Sequence, residues 1–350
     1  MHPIIRGARF LPSICYLGPG IASMMIRRTS LAIALLTSSL ASSLGCQQSE
    51  IRLTAEQRQV VIDSIASSLN RMYVFPEVAA RMDEDMRARV KRGEFDTVTA
   101  ASSFARLLTQ DLQAISHDKH LRVRMRSTDP VNGPAGSFGV QSSIFGRTER
   151  MAGDVAYVEI LSFGAPPEEV REETSRIMSA AADAKALIID LRANGGGSPF
   201  TVALVSSYLF GAEPVHLNSL YFRPANRTDD FFTDPSVAGR KFGPDKPIYV
   251  LTSSRTFSGA EEFAYNLQTR KRATIVGETT GGGANPGRGV QLPYSMTVFV
   301  PTGRAINPIT KTNWEGVGVK PDVAVPAADA LDEARRLAAQ AVKAGTTRSQ

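Results

Sequence analysis

Ser258 is the residue best placed to do chemistry in this chain. It lies in the run Leu-Thr-Ser-Ser-Arg-Thr-Phe-Ser-Gly-Ala-Glu-Glu-Phe-Ala at 251–264. An apolar stretch at 247–251 reads as a buried strand, and 259–267 reads as a helix with Phe263 and Leu267 on one face. The serine therefore stands at a strand-to-helix turn, beside backbone N–H groups that have no intrahelical partner and can stabilise an oxyanion. A serine nucleophile needs that setting. A plain helix N-cap uses the same residue at the same place, so these residues alone leave both readings open.

Two further segments favour chemistry. Residues 186–199 form an apolar strand running through Asp190, Arg192 and Asn194 into Gly195-Gly196-Gly197 and then a helix at 199–209. Residues 273–276 form another strand, entering Gly277-Glu-Thr-Thr-Gly281-Gly282-Gly283. Glycines let the backbone approach a ligand closely and adopt positive φ. One glycine loop is weak evidence. The ordered set D-L-R-x-N-G-G-G, T-S-x-x-F-S-G-A-E-E, G-E-T-T-G-G-G and E-G-V-G-V-K-P-D (315–322) is far more specific.

That set resembles peptidase family S41, the tail-specific and C-terminal processing serine proteases with their interphotoreceptor retinoid-binding and tricorn-like relatives. The resemblance runs from about residue 51 to about 325. It implies a ClpP/crotonase-like ββα spiral, Ser258 as nucleophile, and backbone N–H groups around Gly195, Gly196 and Gly259 as the oxyanion hole. The processing proteases activate their serine with a lysine in the last glycine loop; the matching position here is Gly283, and Lys271 and Lys311 lie outside the motif. A Ser–Lys dyad is not expected.

The base must then be sought among four histidines: His2, His117, His120 and His216. His2 falls in a segment expected to be removed, and His216, in a strand at 215–222, reads as structural. His120, in Ser-His-Asp-Lys-His-Leu-Arg-Val at 116–123, resembles the D-x-H-x-x-V segment of lysine-free S41 relatives, where a histidine is the base. An imidazole titrating near working pH suits proton transfer. A surface histidine in a charged turn is the bland alternative, and His117 the fallback. Glu315 resembles a glutamate of the tricorn branch that orients the base, with Trp314 shielding it; an exposed acid before a glycine turn fits the same residue. Asp190 and Glu278 are rival acids, Asp190 being read as a buried carboxylate bonded to glycine-loop N–H groups.

At 43% hydrophobic and 21% charged, the 350-residue chain is ordinary for a globular protein with a substantial core. Met25-Ile-Arg27-Arg28 and the apolar run that follows read as an export signal occupying 1–46, with Met24 or Met25 as possible starts. Cys46 is the only cysteine after that run, so no disulfide within the mature chain is expected, and its position suggests lipidation. The net charge is +6; removing Arg6, Arg9, Arg27 and Arg28 leaves +2. No basic run interleaved with aromatics argues for nucleic acid. His117 and His120 lack a third partner of metal-ligand spacing, so no metal or cofactor is expected.

The elements that must position these residues are an α/β core and a small N-terminal helical subdomain. Thr54 and Gln57 form a capping box, followed by Val61, Ile65, Leu69 and Met72 at helical spacing. Helical segments to residue 116 complete a subdomain at 51–125. Residues 126–153 read as a linker, too short for a PDZ module. The S41-like core occupies 154–326, with strands and helices alternating and a hairpin around 296–300; 327–350 is a terminal helix and tail. The function expected is exported serine endopeptidase acting on proteins or peptides, touching membrane only through a lipid anchor. A non-catalytic carrier for an apolar or lipid-like ligand is the alternative.

Overall fold

The computed structural model describes residues 50–126 and 143–348. The expected export segment with Cys46, and nearly all of the glycine-, proline- and serine-rich stretch at 127–143, lie outside the described residues.

Two apolar runs became strands buried at every position: β4 (Ala186–Asp190) and β7 (Ile248–Thr252). Unbroken burial requires cover on both faces, as in parallel sheets. The two pair in parallel. The ladder continues through β8 (Thr274–Gly277) to β12 (Val323–Ala324) on one side, and through β3 (Val155–Ile160) to the antiparallel edge strand β2 (Phe145–Met151) on the other. The period of two then divides the side chains. Leu187, Ile189, Ile248 and Val250 share one core with Val170 and Ile177 of α4 (Pro167–Ala181), Val202 and Val205 of α5 (Pro199–Ser206), and Phe263 and Leu267 of α6 (Gly259–Thr269). Ala186, Ile188, Tyr249 and Leu251 meet Ala330, Ala334 and Ala338 of α7 (Ala330–Arg348) in a second core. Each large apolar side chain so buried contributes about 1.5–3 kcal/mol.

The N-terminal subdomain consists of α1 (Ala55–Met72), α2 (Pro76–Lys91) and α3 (Ala101–Ser116). Thr54 Oγ1 accepts from the Gln57 N–H while Gln57 Oε1 accepts from the Thr54 N–H, the expected capping box. Val61, Ile65, Leu69 and Met72 are buried. They share a core with an antiparallel sheet of β1 (Arg122–Met125), β10 (Met296–Pro301) and β9 (Gly287–Leu292), strand order β1-β10-β9. Val123, Met296, Val298 and Val300 belong to that core. Alternation sends Arg122, Arg124, Thr297 and Phe299 to the opposite face. A third sheet, antiparallel throughout, has β5 (His216–Phe222) between β11 (Gly303–Ile306) and β6 (Arg227–Phe232).

The α/β core of ClpP/crotonase-like type and the helical subdomain are both present. Two boundaries are corrected. Residues 126–153 are not all linker, because β2 extends the central sheet; its middle residues are exposed and polar, so it lacks the alternation that marks a strand. The helical subdomain does not end at 125 in packing terms, because the β9–β10 hairpin closes its core. Among the described residues no helix is long and apolar enough to cross a membrane.

Candidate active site

Because β4, β7 and β8 are parallel neighbours, their C-terminal ends open on one edge, where connecting loops build sites. Motifs far apart in sequence meet there. The Asn194 carbonyl accepts from the Phe257 N–H, the Thr256 carbonyl from the Gly281 N–H, and the Leu191 carbonyl from Thr256 Oγ1.

Ser258 sits at the turn into α6 with φ 54° and ψ −121°. A non-glycine residue held there stores roughly 1–3 kcal/mol of strain, and such strain persists only where neighbours enforce it. Here Glu261 enforces it. Its Oε2 accepts from the Ser258 N–H and the Gly283 N–H, each at 2.8 Å, and its Oε1 from the Gly282 N–H at 2.6 Å and from Thr280 Oγ1. One buried carboxylate thus clamps the serine turn to the last glycine loop. Burial raises its pKa, and these hydrogen bonds oppose the rise. On the other side Gly196, at φ 107°, comes so close that a Cβ on it would lie 2.8 Å from Ser258 Cβ.

His120 enters from the turn between α3 and β1. Its ring lies against Phe257, centroids 4.6 Å apart, and stacks on Phe299 at 5.9 Å. Burial, and secondarily the charge of Arg122, lower its pKa to about 4, so the imidazole is neutral over the physiological range. Behind it stand two acids: ligand-type atoms of Asp118, His120 and Glu315 all lie within 4.8 Å of one another. Asp118 is fully engaged. Its Oδ1 accepts from the His120 N–H at 3.0 Å and stands 4.0 Å from His120 Nδ1, while its Oδ2 accepts from Tyr73 Oη and Asn285 Nδ2. Glu315 Oε2 accepts from the Ala284 N–H. His120 Nδ1 and Glu315 Oε1 are both buried with no hydrogen-bond partner among the described residues. Burial, reinforced by the Asp118 charge, raises Glu315 to about 8. As metal ligands the three would offer one nitrogen and two carboxylates, but the hydrogen bonds on Asp118 leave it little freedom to turn toward an ion.

Ser258, His120, Gly195 and Gly197 line one cavity of about 720 Å³. Other expectations are redistributed. The Gly196 amide donates to Asn194 Oδ1 at 2.8 Å, which leaves the amides of Gly195 and Gly259 without an acceptor among the described residues. Asp190 is buried, but its partners are the Arg192 side chain and amide and the Tyr157 hydroxyl, not glycine-loop N–H groups as the sequence suggested; the adjacent arginine reaches it first. Glu278 accepts from the Ser254 and Ala327 amides. His117 is the exposed left-handed C-cap of α3, and His216 stacks on Phe232 and meets Ser219 Oγ. Trp314 is buried, and its Nε1 donates to the Gly283 carbonyl, so it pins the glycine loop. Sequence reasoning missed three participants: Asp118, Glu261 and Lys119. All three stand inside quoted motifs. Lys119 reaches the Gly281 carbonyl through Nζ at 2.5 Å and lines the cavity; Lys271 and Lys311 do not line it.

Residues 154–325 match Peptidase family S41, and residues 47–145 match the N-terminal domain of Peptidase_S41 in eukaryotic IRBP. The chain belongs to peptidase family S41. This S41 chain is 25% identical over 182 residues to a carboxy-terminal-processing protease of Bartonella bacilliformis, a match covering 50% of the chain and 40% of that relative. It therefore spans well under half of the curated relative's length. Its fold is similar to that of a putative peptidase from Parabacteroides merdae, with TM-score 0.58 and 18% identity over 80% of this chain and 96% of the other. It is also similar to that of a lipoprotein from Streptococcus agalactiae, with TM-score 0.57 and 14% identity over 83% and 97%.

Proposed function

We propose that this S41 protein is an exported serine endopeptidase that cleaves peptide bonds through an acyl-enzyme on Ser258, with His120 as base and Glu315 as its orienting group. The observation that carries the reading is the strained Ser258 turn sharing a cavity with a buried, neutral His120 whose ligand-type nitrogen lies within 4.8 Å of carboxylate oxygens of Asp118 and Glu315. In the active form Nδ1 carries its proton toward ionised Glu315 and Nε2 is free. Ser258 Oγ attacks the peptide carbonyl carbon while Nε2 takes the hydroxyl proton. The carbonyl oxygen becomes an oxyanion facing the Gly195 and Gly259 amides, which carry no other acceptor among the described residues. The imidazolium then protonates the leaving amine nitrogen as the C–N bond breaks. Water repeats the sequence on the ester: Nε2 takes its proton, the hydroxide oxygen bonds to the acyl carbon, and the acyl C–Oγ bond breaks as the imidazolium returns the proton to Ser258 Oγ.

Glu315 stabilises the imidazolium and fixes its tautomer, as the third member of a triad does. Export, with Cys46 as the acylated residue, belongs to the same proposal and rests on the residue pattern at 25–46. Mass spectrometry of the mature N-terminus tests it: a diacylglyceryl-Cys46 supports it and an unmodified Cys46 refutes lipidation.

The deciding experiment uses a fluorophosphonate probe together with casein hydrolysis. The wild-type protein labels and cleaves. Ser258→Ala folds, loses both, and leaves the probe-adduct peptide unmodified. Labelling retained in Ser258→Ala would return Ser258 to the role of a helix cap, whose loss affects stability by about 1 kcal/mol.

A further inference from the structure

The cavity beside Ser258 has a one-signed charge lining. Lys119, Arg122, Arg124 and Arg255 contribute to it, and no Asp or Glu does. The mature chain as a whole is close to neutral, so this is a local accumulation and not a reflection of overall charge.

The cations are held in place by the fold. Arg122 and Arg124 are two apart on β1, opposite Phe299 and Thr297 of β10 in the antiparallel register, so all four project from the face that looks away from the helical core. Arg122 is half-buried. Its Nε donates to the Lys119 carbonyl at 2.7 Å, and its guanidinium lies 5.8 Å from the centre of the Phe257 ring. Lys119 Nζ is anchored on the Gly281 carbonyl. Arg255 stands three residues before Ser258, on the turn that presents it.

None of these four side chains has a carboxylate partner among the described residues, whereas Arg87, Arg89, Arg92, Arg192, Arg227, Arg240, Arg335 and Arg336 all do. The acids in the adjacent smaller cavity, which Ser254 and Arg255 also line, are already engaged: Asp190 by Arg192, Glu278 by two amides, Glu159 by the Arg147 amide. Guanidinium groups in a concave wall, with their carboxylate geometry unfilled, are a recognition surface for carboxylates.

We propose that the cleft selects peptides carrying carboxylates close to the scissile bond, supplied by Asp or Glu side chains or by the peptide's own C-terminus. This rests on the Ser258 peptidase reading for its location and extends it to a substrate class. Exposed charge pairs contribute modestly one at a time, and several acting together give about a tenfold preference. Because most of the cations are exposed, that preference fades as salt shortens the screening length to about 3 Å at 1 M.

The test compares matched internally quenched peptides that carry Asp/Glu, Asn/Gln or Lys/Arg at the positions flanking one cleavage site, each with a free or an amidated C-terminus. Expected are a kcat/KM about tenfold higher for acidic than for neutral peptides at low salt, a still lower value for basic ones, and convergence at 1 M salt. Arg124→Glu and Arg255→Glu shrink or invert the preference while fluorophosphonate labelling of Ser258 persists. Amidation separates the sources: its effect isolates the terminal carboxylate, and the Asp/Glu series isolates side chains. Fluorescence anisotropy of the same peptides on full-length Ser258→Ala gives an independent reading, with acidic peptides binding about tenfold more tightly. Equal turnover and equal binding of all peptides, free and amidated, overturn the selectivity and leave the peptidase standing. Salt-sensitive selective binding by a wild-type protein that neither cleaves nor labels overturns the peptidase and keeps the carboxylate site.

Discussion

Gly283 and His120 compete for one volume. A Cβ on Gly283 would lie 2.8 Å from His120 Cε1 and 2.3 Å from Phe257 Cζ. By family resemblance position 283 is where the processing proteases carry their lysine. Here the space that such a side chain would enter is filled by the imidazole and the phenyl ring beside it. The missing lysine and the incoming histidine are therefore one structural fact.

The first prediction follows directly. Gly283→Ala must push aside His120 or Phe257 and should lower kcat/KM by at least about tenfold, since a displacement near 1 Å at reacting groups costs up to 10²-fold. Gly283→Lys should not rebuild a dyad. Steady-state kinetics on an internally quenched peptide checks both, and wild-type turnover in Gly283→Ala would refute the shared-volume account.

His120→Ala should lose about 10²–10⁴ in kcat/KM, while His216→Ala and His117→Ala remain close to wild type. His216 stacks on Phe232 and His117 caps α3. Retained activity in His120→Ala with loss in Lys119→Ala would move the base to the lysine on Gly281.

The pH profile should be governed by Glu315 as much as by His120. Burial and Asp118 raise Glu315 to about 8, and burial lowers His120 to about 4. A proton on Glu315 directed at Nδ1 would leave the hydrogen on Nε2, the wrong tautomer for accepting from Ser258. Activity should therefore rise with pH as this coupled set deprotonates, with a midpoint alkaline to that of a free imidazole. Glu315→Gln should lower kcat, on the order of 10²–10⁴-fold, and move the acid limb below pH 6. An acid limb unchanged in Glu315→Gln would sink the assignment.

Glu262 supplies a stability prediction. It lies buried on α6, and burial raises its pKa to about 7, with the neighbouring Asn218 and Asn266 side chains opposing the rise. The folded state thus keeps a proton that the unfolded chain releases near 4.5. Stability is highest below that value and falls as pH rises toward 7, by about 2–4 kcal/mol in all. Urea unfolding at pH 5 and pH 8 should show this loss in wild type and little of it in Glu262→Gln.

Glu261→Gln should be harsher than its conservative look suggests, because both carboxylate oxygens accept hydrogen bonds and an amide nitrogen cannot. The Gly282 N–H, or both the Ser258 and Gly283 N–H groups, would lose their acceptor, at about 1–3 kcal/mol for each. Loss of fluorophosphonate labelling at temperatures where the variant remains folded is the expected readout; full labelling would show that the turn is held by other contacts.

How much of this could be read in advance depended on the kind of pattern. β4 and β7 were legible as unbroken apolar runs, and the parallel order of their sheet makes the loops after them converge, so the glycine motifs and Ser258 could be grouped before any coordinates. β2 was not legible: its middle residues, Gly146 to Arg150, face solvent at a sheet edge and give no apolar alternation. Glu261 and Asp118 were visible as letters in motifs, but their roles depend on partners 19 to 167 residues away along the chain. Asp190 was assigned the right burial and the wrong partner, since nothing in its own segment says that Arg192 folds back on it. The base was assigned an ordinary imidazole pKa because the two aromatic rings that desolvate it come from β10 and the serine turn.

The β1–β10 pairing ties the protein's chemistry to its own assembly. His120 leaves the helical subdomain just before β1, and Ser258 leaves the central sheet; the β1–β10 pairing, with the contacts of Lys119 to Gly281 and of Asp118 to Asn285, brings both to one cavity. The position of the imidazole is thereby a property of the assembled fold and of no single segment.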